Sequence, residues 1–175
     1  IWYQSKLERA IYSIKSENCN AYSSNVRPFS NKKLYPVLFK SDPQKKFDYL
    51  FEGGGPGCTY VFDNKLAKNI QILIKENQKI YYEINHHDWF FYAYARANGY
   101  KWHIDNHESM LYRQHSMNEL GMNRGFKSFC KRFLIVMSGV AMEQSRKIAT
   151  HIRIDKDNNI KRMLFSKKKS YFYMI

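Results

Sequence analysis

A chain of 175 residues is long enough to bury a real core, and 44% hydrophobic residues exclude general disorder. Lys and Arg number 29 against 15 Asp and Glu, a formal charge of +14 that points to an anionic partner: nucleic acid, a phosphorylated substrate or an anionic membrane. No apolar run approaches the ~20 residues of a membrane span, and Cys19, Cys58 and Cys130 make neither a Cys-x-x-Cys pair nor a zinc set, so a reduced cytoplasmic setting is expected.

Ile1-Trp2-Tyr3-Gln4 has neither the basic start nor the cleavage site of a secretory leader. Leu7, Ala10, Ile11 and Ile14 recur at helical spacing, which predicts an amphipathic helix over 3–16. A short strand is expected from Ala21 to Val26, closed by Pro28, and then a basic excursion over the surface to Pro43. Asp48-Tyr49-Leu50-Phe51 suits one helical turn.

Four of the eight glycines fall in Glu52-Gly53-Gly54-Gly55-Pro56-Gly57-Cys58. Glycine permits close backbone approach to a ligand, but no Gly-Lys-Ser/Thr ending and no Gly-x-Gly-x-x-Gly spacing is present. The segment reads equally as a plain turn and as a ligand-facing loop. Thr59 to Phe62 follows as a strand, and Asp63 as the cap of a helix striped by Leu66, Ile70, Leu73 and Ile74. Loop, strand and helix in succession predict a layered α/β fold.

The stretch from His86 to Trp102 dominates the middle of the chain. From Trp89 to Ala95 nearly every position is apolar, so the helix is expected to be buried on more than one side. Asn85 is the expected N-cap and Gly99 the stop. Asp88 then falls in the first turn, where a carboxylate complements the helix dipole by roughly 0.3–1 kcal/mol or stands as a general base on a rigid support. Two strands are expected next, at Tyr100–Ile104 and Ser109–Tyr112, before Arg113-Gln114-His115. His115 taken alone reads as an ordinary surface or core histidine. A long helix is expected within 126–149, with a turn at Asp155-Lys156-Asp157. The basic tail Lys161–Ile175 reads as solvated or as a membrane-surface contact.

Gly57-Cys58-Thr59-Tyr60-Val61-Phe62, His87-Asp88-Trp89, and Tyr112-Arg113-Gln114-His115 with Asn118 and Gly121 fall in a telling order. That order resembles the second half of bacterial family 2 glycosyltransferases, in particular the rhamnosyltransferase-like members of surface polysaccharide synthesis. The likeness runs from the first helix to about Asn123. It implies the acceptor-side half of a GT-A Rossmann-like α/β sandwich over 1–123, followed by C-terminal helices and a basic tail over 124–175. Ile1-Trp2 and Lys6-Leu7-Glu8 resemble the stretch just downstream of the family's Asp-x-Asp metal motif. The nucleotide- and metal-binding half is therefore expected to lie outside this sequence.

The resemblance implies roles for particular residues. Asp88 matches the base that takes the acceptor hydroxyl proton in inverting transfer. His115, assisted by Arg113, matches a residue reaching the donor diphosphate or a divalent metal (Mg or Mn), and Gly57, Cys58 and Trp89 line the acceptor side. The implied partners are a nucleotide-sugar donor and a glycan or lipid-linked acceptor, on the cytoplasmic side and with an anionic membrane surface as a further candidate. Two other classes compete: a basic nucleic-acid-binding module and a noncatalytic membrane-surface protein. No recognised nucleic-acid motif is present, and most aromatics sit in apolar runs suited to a core.

Overall fold

The computed structural model describes residues 1–30, 33–114 and 139–165. The order is α1 (Lys6–Ser16), β1 (Ala21–Ser30), β2 (Lys33–Leu34), a 3-10 turn at Asp48–Leu50, another at Gly57–Thr59, β3 (Val61–Phe62), α2 (Asn64–Glu76), α3 (Ile80–Glu83), α4 (His87–Ala97), β4 (Trp102–Arg113), α5 (Val140–His151) and α6 (Asn158–Phe165). The expected α/β class is observed, with one mixed four-stranded sheet among the described residues.

Strand β1 is the centre of that sheet. β4 runs parallel to it from Ala21↔Trp102 to Phe29↔Arg113. On the other edge β3 pairs antiparallel at Ala21 and Tyr22, and β2 pairs antiparallel at Phe29 and Ser30. Parallel neighbours cannot be joined by a tight turn, and α2 to α4 supply the crossover. Successive side chains of β1 point to opposite faces. Tyr22 reaches Asp105, which Arg9 of α1 also holds. Ser23 instead meets Gly54 and Trp102 on the α4 side.

Helix α4 is as apolar in place as in sequence: Trp89, Phe90, Tyr92, Ala93 and Ala95 are all buried. Tyr92 and Trp102 meet edge to face at 5.1 Å, and Tyr60 meets Trp102 at 4.7 Å. Leu66 and Ile70 of α2 join this core, as do Met142, Ile148, Ile160 and Leu164 of the C-terminal helices. The expected cap of α2 is present, with Asp63 accepting from the Leu66 amide at 2.7 Å. Gly99 ends α4 at φ +75°, where glycine costs least.

Several expectations are corrected. Pro28 does not close β1; the strand continues through it to Ser30, because the Pro28 carbonyl still accepts from the Tyr35 amide at 2.9 Å. The two strands expected around 100–112 are one 12-residue strand. Its polar middle is satisfied from α1 by Arg9 on Asp105, and across the sheet by Tyr22 on Asp105 and Asn25 on the Asn106 carbonyl. The N-cap of α4 is His86 rather than Asn85, whose amide donates to Gln144 at 3.2 Å. In α1 the buried face is Lys6, Ala10 and Ser13, while Leu7 and Ile11 of the apolar stripe remain about half exposed. The tail begins as α6, which buries Leu164 completely and leaves Lys161 and Arg162 outward.

The helix expected over 126–149 is observed for Val140–His151, its earlier part lying outside the described residues. The 123/124 domain boundary, Cys130, Asn118 and Gly121 lie outside them too. No described helix is long and apolar enough to cross a membrane.

Candidate active site

The first turn of α4 forms one wall of a cleft of about 310 Å³, bordered by Lys40, Gly53, Gly55, His86, His87 and Asp88. Asp88 is held at the mouth of the buried helix. Its Oδ1 accepts from the Trp89 amide at 2.8 Å. Among the described residues, no hydrogen-bond partner engages Oδ2. One oxygen thus fixes the side chain at the border of the cleft.

Trp89 supplies the rigidity beneath it. The indole is buried, and its Nε1 donates to the Tyr49 carbonyl at 2.9 Å, tying α4 to the Asp48–Leu50 turn. That turn is braced in turn by Arg96, which lies 3.2 Å from Asp48, and by the Tyr92 hydroxyl at 3.1 Å.

The glycine segment forms the facing wall. A Cβ at Gly57 would lie 2.9 Å from the Asp88 Cβ, and one at Gly53 would lie 3.4 Å from the Trp89 Cα. Gly54 is pressed against rings, 2.8 Å from Tyr92 Cδ2 and 3.0 Å from Trp102 Nε1 on the same measure. Gly55 has φ +112° and lies against Lys40. The segment is therefore both a turn and a wall of the cleft: its glycines allow the main chain to approach α4 within one side-chain diameter.

Two residues to which the sequence reading gave no site role stabilise this approach. Tyr60 donates to the Gly55 carbonyl at 3.0 Å and lies 3.4 Å from the Asp88 carbonyl. Burial, and then the charge of Asp88, push its phenol well above the ordinary tyrosine range, so it stays a donor. Lys6 is 1% exposed, and its ammonium donates to the Thr59 carbonyl at 3.3 Å while lying 4.1 Å from the Trp2 ring centre. Burial lowers its pKa. Tyr60 fell within the strand expected over 59–62 and Lys6 within the helix expected over 3–16, and neither carried a local signal of its long-range contact. Lys40 was hidden in the basic excursion.

The expected site residues are partly gathered. Gly57, Asp88 and Trp89 are brought together, and Cys58 is exposed on the turn beside Gly57. Arg113 is the last residue of β4, beside Phe29, its guanidinium 5.6 Å from that ring. It is not among the residues bordering the Asp88 cleft. His115 lies outside the described residues. Among the described residues no group of three or more His, Cys, Asp or Glu side chains is placed to hold a metal ion, so the expected divalent metal has no built site there.

Comparison with known proteins gives one informative likeness. Over 155 residues the chain is 38% identical to the dTDP-rhamnosyl transferase RfbG of Shigella flexneri. The match takes in 89% of this chain and 54% of that protein, so the chain spans about half the length of the relative. This similarity supports a rhamnosyltransferase-like glycosyltransferase. No family model matches, and no solved structure matches.

Proposed function

We propose that this chain carries the acceptor-side half of an inverting, family 2, GT-A-type glycosyltransferase, which moves rhamnose from a dTDP-linked donor to a glycan or lipid-linked acceptor in surface polysaccharide synthesis. The observation that carries the reading is Asp88: a carboxylate at the mouth of a buried helix, one oxygen bonded to the main chain and the other open to a cleft.

In the proposed step the acceptor hydroxyl sits against Asp88 Oδ2. Its proton passes to that oxygen as the acceptor oxygen bonds to the anomeric carbon from the face opposite the diphosphate. The carbon–oxygen bond to the diphosphate breaks, and the electron pair leaves with dTDP. A rigid base is an advantage here, because proton transfer needs hydrogen-bond reach throughout the attack. Gly53, Gly57 and Trp89 shape the acceptor side. Arg113 and His115 are assigned to the donor diphosphate, whose negative charge needs cationic or hydrogen-bonding partners. A divalent Mg or Mn ion in the complete enzyme would supply charge neutralisation there, and the described residues form no site for it. The cytoplasmic face of the membrane is the proposed location, with basic residues from Lys161 onward toward anionic lipid.

Asp88→Asn in the complete enzyme tests the assignment. It keeps the shape and removes the basicity, so turnover should fall by about 10²–10⁴ while donor affinity changes little. Near-wild-type turnover would overturn it.

A further inference from the structure

Helix α5 holds the chain at the entrance to α4. Ile84, Asn85 and His86 join α3 to α4, and Asn85 and His86 border the cleft beside His87 and Asp88. Gln144 of α5 grips the main chain at this joint. Its Oε1 accepts from the Asn85 amide at 3.2 Å, and its Nε2 donates to the Glu83 carbonyl at 3.3 Å. Gln144 is 3% exposed, so both bonds are made out of reach of bulk water.

A second grip lies two turns further along α5. His151 follows Gln144 at a spacing of seven, which returns to nearly the same face of a helix. It is buried, with Nε2 2.8 Å from the Glu83 carboxylate and Nδ1 2.9 Å from the Asn77 side-chain amide. Met142, Ile148 and Ala149 are the apolar residues that α5 buries, and Ser145 bonds back to its own helix at Ala141. Gln144 and His151 are thus the side chains by which α5 holds the joint through hydrogen bonds.

Packing alone does not account for Gln144. A methionine would fill much the same length without desolvating an amide, which is unfavourable unless both ends of the amide are bonded. What the amide adds is a fixed place for two main-chain groups on either side of Ile84. Histidine at the cap position of α4 is not one of the Ser, Thr, Asp or Asn side chains that best fix a helix start locally. Asp88 is the second residue of that helix and its Oδ1 is tied to the Trp89 amide, so the carboxylate goes where the first turn goes.

We propose that Gln144 is a positioning residue for the cleft: by holding the Glu83 carbonyl and the Asn85 amide it sets the first turn of α4, and through that turn the reach of the Asp88 carboxylate to its substrate. The Glu83–His151 contact keeps α5 in register for that grip. The inference rests on the glycosyltransferase reading. It gives the C-terminal helix, which the sequence places in an extension beyond the site, a part in the reaction.

Gln144→Met in the complete enzyme keeps the bulk and removes both bonds. Its kcat should fall by about tenfold with the donor KM within about twofold of the parent, because a small displacement of a reacting group is felt in turnover. Hydrogen exchange over residues 84–90 should quicken by about tenfold or more, while exchange over α2 stays as in the parent. Ile148→Val is the control, a loss of packing from the same helix with the joint still held; it should lower the thermal midpoint and leave kcat unchanged. Gln144→Glu keeps an oxygen for the Asn85 amide and loses the donor to the Glu83 carbonyl, so it carries the same test, with lower kcat and faster exchange, if the methionine variant does not fold. A kcat within about twofold of the parent, unchanged exchange over 84–90, or an equal loss of kcat in Ile148→Val would each overturn the proposal.

Asp88→Asn separates this inference from the reading beneath it. Because Gln144 acts through Asp88, the double variant Asp88→Asn, Gln144→Met should turn over at about the rate of Asp88→Asn alone. Losses that multiply in full would overturn the action through Asp88. Lost transfer in Asp88→Asn beside an unchanged Gln144→Met would keep the base and remove the grip. Undiminished transfer in Asp88→Asn would remove the base, and lowered kcat with quickened exchange in Gln144→Met would still leave Gln144 as the residue that sets the cleft wall.

Discussion

Gly57→Ala is the substitution that bears most directly on the site. The added methyl carbon would sit 2.9 Å from the Asp88 Cβ, about 0.5 Å short of ordinary van der Waals contact. Neither partner is the loose end of a long side chain. Asp88 is fixed by its bond to the Trp89 amide, and α4 by the Trp89 indole on the Tyr49 carbonyl. The Gly57–Thr59 turn is held by Lys6 on the Thr59 carbonyl and by the Thr59 hydroxyl on the Pro56 carbonyl at 2.8 Å. Something must still move, and overpacking of this kind costs about 1–3 kcal/mol. The expected loss of stability is at the low end, about 1 kcal/mol, because the cleft side of the contact is open.

The expected loss of activity is larger. Displacing a reacting group by about 1 Å can cost on the order of 10²-fold, so a shift of half that should lower turnover by about tenfold. Urea denaturation of the chain and steady-state transfer kinetics of the complete enzyme measure the two effects. Gly54→Ala is the control: its methyl would lie 2.8 Å from Tyr92 Cδ2 in the packed core, so it should lower stability more than Gly57→Ala does. Gly57→Ala with full turnover and an unchanged urea midpoint would refute the close contact and, with it, the glycine segment as the wall facing Asp88.

Tyr60→Phe removes the hydroxyl that binds the Gly55 carbonyl; stability should fall by about 1 kcal/mol in urea melts, with a smaller loss of turnover than in Asp88→Asn. Burial works to raise Asp105, but Arg9, the His107 amide and Tyr22 together hold it below the ordinary carboxylate range. A depressed folded pKa means stability that is present above about pH 4 and lost as pH falls through the folded value, so Asp105→Asn should flatten the acid limb of the urea midpoint below about pH 4. Deleting residues 166–175 should weaken sedimentation with anionic vesicles at low salt and leave neutral vesicles unaffected; unchanged binding to anionic vesicles would rule the tail out as an anchor.

What could be read in the sequence was whatever is encoded locally. Helix α4 carries its own stop at Gly99 and a continuous apolar run, so its burial and the position of Asp88 at its mouth followed from the residues alone. The same holds for α2, whose Asp63 cap and leucine–isoleucine stripe are contained in one stretch. The proximity of Gly57 to Asp88 is a long-range fact, and the family resemblance rather than any periodicity put Gly57, Asp88 and Trp89 on one side of a site.

The rest was hidden because the sheet interior is polar. Tyr22, Ser23, Ser24 and Asn25 on β1, and Asp105 and Ser109 on β4, are all buried, and each is answered across the sheet or from α1. An apolar/polar pattern marks such residues as loop or solvent-facing, which is why the middle of β4 read as a break between two strands. The same interior inverts α1: it offers Asp105 to Arg9 and a carbonyl of the turn to Lys6, so polar residues of the helix turn inward while Leu7 and Ile11 stay half exposed. Hydrogen-bond geometry thus decides the register of β1 against β4 and the seating of α1. Lys6 shows what that means for the site. A lysine buried to 1% exposure would be costly if its charge were left without partners. Here the ammonium is spent on the Thr59 carbonyl and the Trp2 ring, and the turn it secures is the one whose Gly57 closes on Asp88.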